Sequence, residues 1–334
     1  MLANLILLFL CLFLGFFFRR AKLFPENGHV ALNSFVINIS LAALSLYYIP
    51  KIVISYEVVF PVAVAWLNIF LAMVFFSVLG KKMNWSKSVI GALIMCAGFG
   101  NTSFVGIPVI QAIYGGSGLK TVMLVDQPGS FVALSTVGIA VANYYSGTKS
   151  TVSHIAGKII RFPPFLAFSV AIILNVLNIQ IPHELDEVLN KLGATTVPLA
   201  LFSVGSQLHW QKLDTDTKPL FWGLLFKLML FPAFIFLFYS IILKQSGEMI
   251  EISILESAMA PMITAGIIAA AHKLEPKLCN LMVGVGIPLA FITLAFWYLV
   301  LHFSFELNNE NLLYIKQKQH TYLIICSFVL KKRL

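Results

Sequence analysis

Four polar side chains stand inside runs of this sequence that are otherwise nearly pure hydrocarbon: Asp126, Glu256, Lys227 and Asn101. An ionisable group in such a run is expensive to keep, so it is paired or it works. Glu256 lies five residues before Pro261 and is placed to carry a coupled proton. Asp126 is a second carboxyl of the same kind, set less deeply in its run. The competing reading for both is a structural pair with Lys227, which lies nine residues after Lys218. That spacing is ~13 Å of helix, too deep for easy snorkelling. Lys227 therefore neutralises an acid or lines a pathway. Asn101 precedes Pro108 by seven residues. Its amide is able to donate to a carboxylate, or to bond only the interrupted backbone around it. Thr102, Ser103, Gln111, Gln127, Ser257 and Thr264 stand near the same level, where they either line a cavity or bond a helix backbone.

These groups need elements to hold them, and the elements follow from composition. Hydrophobic residues make up 59% of the chain and charged residues 11%, with a mean hydropathy of +0.89. Soluble domains carry about 25% charged residues. A surface this poor in charge faces lipid, and a membrane helix takes about 20 apolar residues. Ten runs suit, at 2–18, 30–49, 59–79, 87–114, 119–143, 162–180, 188–208, 218–243, 250–271 and 278–300. The expected class is an all-α, multi-pass protein of the cell membrane. The first run lacks a basic leader and a small-residue cleavage site, and is read as a retained helix.

Two of the runs are interrupted. The fourth reads Gly98-Phe99-Gly100-Asn101-Thr102-Ser103-Phe104-Val105-Gly106-Ile107-Pro108, and the ninth reads Glu256-Ser257-Ala258-Met259-Ala260-Pro261. Proline removes a donor and clashes with the preceding turn. Such a break is tolerated at membrane depth only against protein or a wet cavity. Broken helices at matching positions of two halves point to a midplane binding site between repeats. Five runs per half make the second half inverted. The divisions expected are 1–143 and 162–300 for the repeats, 144–161 for a short cytoplasmic connection, and 301–334 for an accessory tail. A broken helix offers free N–H groups and the positive end of a dipole, which suit a carboxylate. The half-helix starts after Pro108 and Pro261 are expected to face that anion.

The net charge of +9 is spread through short loops, which speaks for membrane orientation and against a nucleic-acid partner. Arg19, Arg20, Lys22, Lys81, Lys82, Lys87, Lys149, Lys158, Arg161, Lys212, Lys218, Lys273 and Lys277 fall on one side, with only Lys51, Lys120, Lys191 and Lys244 on the other. Both termini are then extracytoplasmic. Cys11, Cys96, Cys279 and Cys326 stand apart and no histidine lies deep in a run, so neither a metal centre nor a cofactor is expected. No nucleophile–base set suggests an enzyme, and no Walker A loop suggests an ATP-driven pump.

The stretch Asn101–Pro108, followed by Tyr114-Gly115, resembles the fourth span of the auxin efflux carrier family, which includes plant PIN carriers and bacterial permeases. Ile39-Ser40-Leu41-Ala42-Ala43-Leu44, Lys227 before Pro232, Ser257–Pro261 and Gly284-Val285-Gly286-Ile287-Pro288 are similar to its second, eighth, ninth and tenth spans. Ala42 stands where the family usually has proline. The resemblance covers residues 1 to about 300 and implies a ten-helix fold like that of sodium/bile-acid symporters. In that fold two inverted five-helix repeats cross their broken helices 4 and 9. Spans 1, 2, 6 and 7 form a scaffold against which the rest moves as an elevator. It also implies secondary transport of small carboxylates such as auxin or malonate. Asn101, Thr102, Gly106, Pro108, Ser257, Pro261 and Thr264 are then expected at the substrate, and Glu256, Asp126 and Lys227 at a coupling proton or sodium. The partners expected are the organic anion, the lipid bilayer and a second copy of the chain. A sodium/proton antiporter of the same fold is the alternative.

Overall fold

The structure, a computed structural model, describes residues 2–147, 163–208 and 217–331, with side chains as far as residue 304. The 144–161 connection lies almost wholly outside these residues, as do Lys149, Lys158, Arg161 and Lys212. All named elements among the described residues are helical. We number them α1 (Leu2–Arg20), α2 (Gly28–Lys51), α3 (Tyr56–Lys82), α4 (Lys87–Ala97), α5 (Thr102–Ser146), α6 (Pro163–Val176), α7 (His183–Gln207), α8 (Thr217–Ile242), α9 (Glu248–Ser257), α10 (Ile263–Ala271) and α11 (Pro276–Lys331). Seven of the helices are long and apolar enough to cross a membrane, α11 through its Pro276–Ser304 stretch. The protein is thus a multi-pass membrane protein. α4 and α6 are shorter apolar helices.

Two compact units divide the chain, Met1–Thr293 and Leu294–Leu334. The second is helical through Lys331. Within the first, α1, α2, α6 and α7 pack on one another, while α3 packs on α4, α5 and α9, and α4 on α5, α8 and α10. Missing side chains set the closest approach. A Cβ on Gly15 would strike the carbonyl of Phe202, and one on Gly205 would strike the carbonyl of Leu12. Without a hydrophobic drive between helices in lipid, such small-residue contacts provide the packing. Asn175 on α6 donates through Nδ2 to the carbonyls of Ile49, Pro50 and Ile52 at 2.9, 3.0 and 2.7 Å. These carbonyls lie at the end of α2 next to Pro50, where only that of Ile49 still accepts from a following N–H (Ile52, 3.1 Å), and the amide supplements the missing turn.

The helices widen where proline would otherwise disrupt them. π-turns at Thr102–Gly106 and Phe226–Leu230 precede Pro108 and Pro232, and a third, Val125–Phe131, contains Pro128. A π-turn absorbs the lost donor by rewinding one residue and re-aims the side chains on it. Asn101 at the start of the first, Asp126 on the third and Lys227 on the second are placed in this way. α2 also carries a π-turn, Val36–Ser40, and runs on through Ala42 without a break.

Candidate functional site

α4 ends at Ala97 and α5 starts at Thr102, leaving Gly98–Asn101 outside any helix. α9 ends at Ser257 and α10 starts at Ile263. These two gaps pair with each other. Gly100 and Pro261 form an isolated antiparallel bridge; the Asn101 N–H donates to the Ala260 carbonyl at 2.8 Å and the Met262 N–H to the Phe99 carbonyl at 3.1 Å. The backbone groups freed by one break thus satisfy those freed by the other, which is the condition for leaving a helix at membrane depth.

The first break falls at Gly98–Asn101, not at Pro108. Asn101 starts the new helix: its backbone is non-helical (φ −80°, ψ 67°) and its side-chain oxygen accepts from the Phe104 N–H at 3.1 Å. That cap fixes the start, and Pro108 lies about two turns further on, buried inside the continuing helix. In the second break Pro261 is itself the bridged residue, with Met262 extended before α10.

The first turns of α5 and α10 border one cavity of about 170 Å³. Asn101, Ser103 and Phe104 line it from one side, Met262, Ile263 and Thr264 from the other. α2 adds Ile37 and Leu41, and the later part of α5 adds Asp126, Gln127, Phe131, Leu134 and Ser135. Sites for drug-sized ligands occupy roughly 300–1,000 Å³; this cavity suits a smaller guest with an apolar body. Asn101 is 2% exposed, and its Nδ2 has no hydrogen-bond partner among the described residues. The Gln127 Oε1 is likewise unpartnered.

Asp126 holds the start of α5. Its Oδ1 accepts from the Thr102 hydroxyl at 2.6 Å and from the Ser103 hydroxyl, and its Oδ2 accepts from the Gln127 amide at 2.8 Å. Its partners are hydroxyls and an amide, so a pair with Lys227 is not how it is held. The Thr102 hydroxyl, its proton on Asp126, also lies 3.2 Å from the Ser130 hydroxyl, from which it can accept, and is thereby tied down beside the cavity.

Behind the bridge lies a second group. The Lys227 Nζ donates to the Ser257 carbonyl at 2.7 Å, at the C-terminal end of α9. A cation suits that end, where carbonyls point outward and the dipole is negative. A Cβ on Gly100 would lie 3.3 Å from the Lys227 Nζ, so the amine sits directly against the bridge. The Ser257 hydroxyl bonds its own helix, to the Ile254 carbonyl at 2.6 Å. Glu256 is 1% exposed, and neither carboxyl oxygen has a partner among the described residues. Its carboxyl rests on Gly106, where a Cβ would stand 2.5 Å from both oxygens. No Lys227–Glu256 salt bridge occurs among the described residues.

Of the residues singled out in the sequence, Asn101, Ser103, Asp126, Gln127 and Thr264 reach the cavity. Thr102 stands beside it; Gly106, Ser257, Glu256 and Lys227 form the layer behind; Pro261 belongs to the bridge and Pro108 to the helix body. Ile37, Leu41, Phe131, Leu134 and Ser135 escaped the sequence reading. Apolar wall residues look like any other lipid- or core-facing residue, and only the similarity of Ile39–Leu44 to a known span hinted at α2.

A family model described as membrane transport protein matches residues 1–298, every helix that borders the cavity included. "Uncharacterized transporter MJ1031" of Methanocaldococcus jannaschii is 26% identical over 297 residues, covering 85% of this chain and 93% of that protein. A transporter of Methanothermobacter thermautotrophicus is 24% identical over 293 residues, covering 86% and 94%. "Uncharacterized transporter YfdV" of Escherichia coli K12 is 24% identical over 299 residues, covering 86% and 93%. With an interrupted helix pair around a small buried cavity and a match along nearly nine-tenths of its length, the chain belongs to the membrane transport protein family, the auxin efflux carriers.

Proposed function

We propose that this protein is a secondary active transporter, a permease that carries a small organic anion, a carboxylate, by elevator-like alternating access. One observation carries the reading: two helices restart at a shared bridge with their first turns on one cavity, where the Asn101 amide is buried and unpartnered. Free N–H groups, two positive helix ends and an unused amide donor make a site for a negative group without a basic side chain. The largely apolar remainder of the wall would hold the hydrocarbon part of the cargo.

The same reading arranges the chain as ten spans in two inverted five-helix halves, with α4–α5 and α9–α10 as the crossed pair. The packing of α1 on α7, α7 on α2 and α2 on α6 supports a scaffold, which meets α5 through α1 and α7, and α3–α5 with α8–α11 would be the moving part. Both termini are placed outside by the loop charges. The test is a thermal-shift series on purified protein with mono- and dicarboxylates, each with and without sodium. Binding to the folded state raises its stability by RT ln(1 + [L]/Kd), about 2.7 kcal/mol at a hundredfold excess over Kd. A carboxylate that shifts the transition at millimolar concentration supports the proposal; a flat response across the series, with a matched amine series that does shift it, would reverse the assigned charge of the cargo.

A second reading, a sodium/proton antiporter, is favoured by the Glu256 carboxyl, which is buried with no hydrogen-bond partner among the described residues. The Glu256→Gln variant separates the two. In a proton-coupled carboxylate carrier it retains carboxylate exchange between vesicle faces and loses proton-driven uptake. In an antiporter, wild-type vesicles release protons on a sodium pulse with no carboxylate present.

A further inference from the structure

Three hollows within Met1–Thr293 are neighbours through shared wall residues. The central cavity shares Ile263 as a wall residue with a second cavity of about 340 Å³. That second cavity shares Arg19 and Glu26 with a surface hollow of about 780 Å³. Volumes therefore fall from about 780 through about 340 to about 170 Å³ on the way to Asn101. The outermost hollow also carries Arg20 and Lys22, both exposed.

We infer that this series is the access route from one membrane face to Asn101, that Arg19 captures the anion at its entrance, and that Ile263 is the partition between antechamber and site. The anionic nature of the cargo rests on the function proposed above; the route itself does not.

Arg19 differs from the other basic residues of its loop. Charge bias sets orientation and asks only that a basic residue be near a span end. Arg20 and Lys22 meet that requirement on the open surface. Arg19 instead borders two hollows at once and holds Glu26 at 3.4 Å, its side chain 36% exposed against 88% for Glu26. Three cations against one carboxylate leave the entrance positive. A narrowing cleft of one sign concentrates the field and raises the local concentration of the opposite ion. Glu26 then tempers the capture: it competes with the cargo for Arg19, and freeing Arg19 from it strengthens the pull.

The antechamber also has the right walls. Arg19 and Ser206 belong to α1 and α7, whereas Ile263 and Asn280 belong to α10 and α11. Its walls thus come from both groups of helices, which also meet where α1 and α7 pack on α5. A displacement of one group against the other changes this cavity, as it does the central one, where Ile37 and Leu41 of α2 face α5 and α10. Ile263 is 9% exposed and stands in the first turn of α10. The residue that separates the cavities is thus a neighbour of the N–H groups assigned to the anion.

The test needs no cargo. In a background with Cys11, Cys96, Cys279 and Cys326 replaced by Ser, a Thr264→Cys variant reports on the central cavity and Asn280→Cys on the antechamber. Each is reconstituted and labelled from either face with a sulfonate-bearing thiosulfonate or its trimethylammonium analogue, both membrane-impermeant. Labelling of both cysteines from the Arg19 face, faster for the sulfonate, is expected. Arg19→Gln should slow the sulfonate by roughly fivefold or more at low ionic strength, Glu26→Gln should speed it, and salt should erase both effects. Arg19→Lys should restore most of the rate. Ile263→Trp should block Thr264→Cys and leave Asn280→Cys reactive, which also shows that the variant is folded. Labelling of Thr264→Cys only from the opposite face, or sulfonate rates indifferent to Arg19→Gln, would overturn the route. If carboxylates fail to bind while the labelling pattern holds, the cargo falls and the route stands.

Discussion

The Asn101→Ser variant will lose carboxylate affinity by roughly 10- to 100-fold while its unliganded melting temperature stays close to that of the parent. The argument separates two jobs of one side chain. The Oδ1 atom caps α5 by accepting from the Phe104 N–H at 3.1 Å, whereas the Nδ2 atom is buried without a partner. Serine caps about as well as asparagine, so the helix start survives. It does not extend an amide N–H into the cavity. A hydrogen bond to a charged group contributes about 1.5–3 kcal/mol, and about 1.4 kcal/mol is a factor of ten in affinity. Asn101→Ala removes both jobs, and should lose the same affinity and in addition about 1 kcal/mol of stability. Calorimetric titration of both variants with the best carboxylate from the thermal-shift series decides the matter. Equal affinity in Asn101→Ser and the parent would take the amide out of the site and leave Asn101 as a cap.

Gly106→Ala should destabilise the protein by about 1–3 kcal/mol, the usual cost of overpacking a filled interior, and most of that cost should vanish when Glu256 is also Ala. A Cβ at Gly106 would stand 2.5 Å from both Glu256 oxygens and 2.9 Å from their carbon. The carboxyl is a side-chain end, but it is 1% exposed and neither oxygen has a hydrogen-bond partner among the described residues, so it has little room to swing. The methyl group and the carboxyl therefore compete for one space. The four-member cycle of Gly106→Ala and Glu256→Ala, read by unfolding in detergent, should give a coupling of about 1 kcal/mol or more, as expected for residues in contact. Additive effects would mean that Gly106 is needed for its backbone, not for the room it leaves. Gly106→Ala should also disturb proton-driven uptake, because it moves the group proposed to carry the proton.

Much of this architecture was legible in the residues alone. Apolar runs of membrane length mark the helices because a backbone in lipid must satisfy its own hydrogen bonds and its side chains must resemble the solvent. Both interruptions were visible, because Gly98, Gly100, Pro108 and Pro261 each weaken a helix locally. The choice among those residues was not visible. Proline at 108 reads as the stronger breaker, yet a π-turn absorbs it, and the Asn101 cap sets the break about two turns earlier. Capping strength depends on whether the orphaned N–H at Asn101 finds an acceptor, and that acceptor, Ala260, lies on a distant segment.

Side-chain partners followed the same division. That Asp126, Glu256 and Lys227 matter is fixed by the cost of placing them in apolar runs. Which group each one meets was decided only in three dimensions. Asp126 gathers hydroxyls from Thr102 and Ser103 because α5 is two helical stretches that meet at a kink at Gly115 (φ 70°, ψ −154°), and Lys227 takes a main-chain carbonyl because α9 stops beside it. Composition and local chemistry thus determined that this is a polytopic membrane protein with two interrupted helices and a few costly polar groups. The bridge between the interruptions, the cavity at their restart and the pairing of Gly106 with Glu256 came from tertiary structure, since each is a contact between segments that no local spacing encodes.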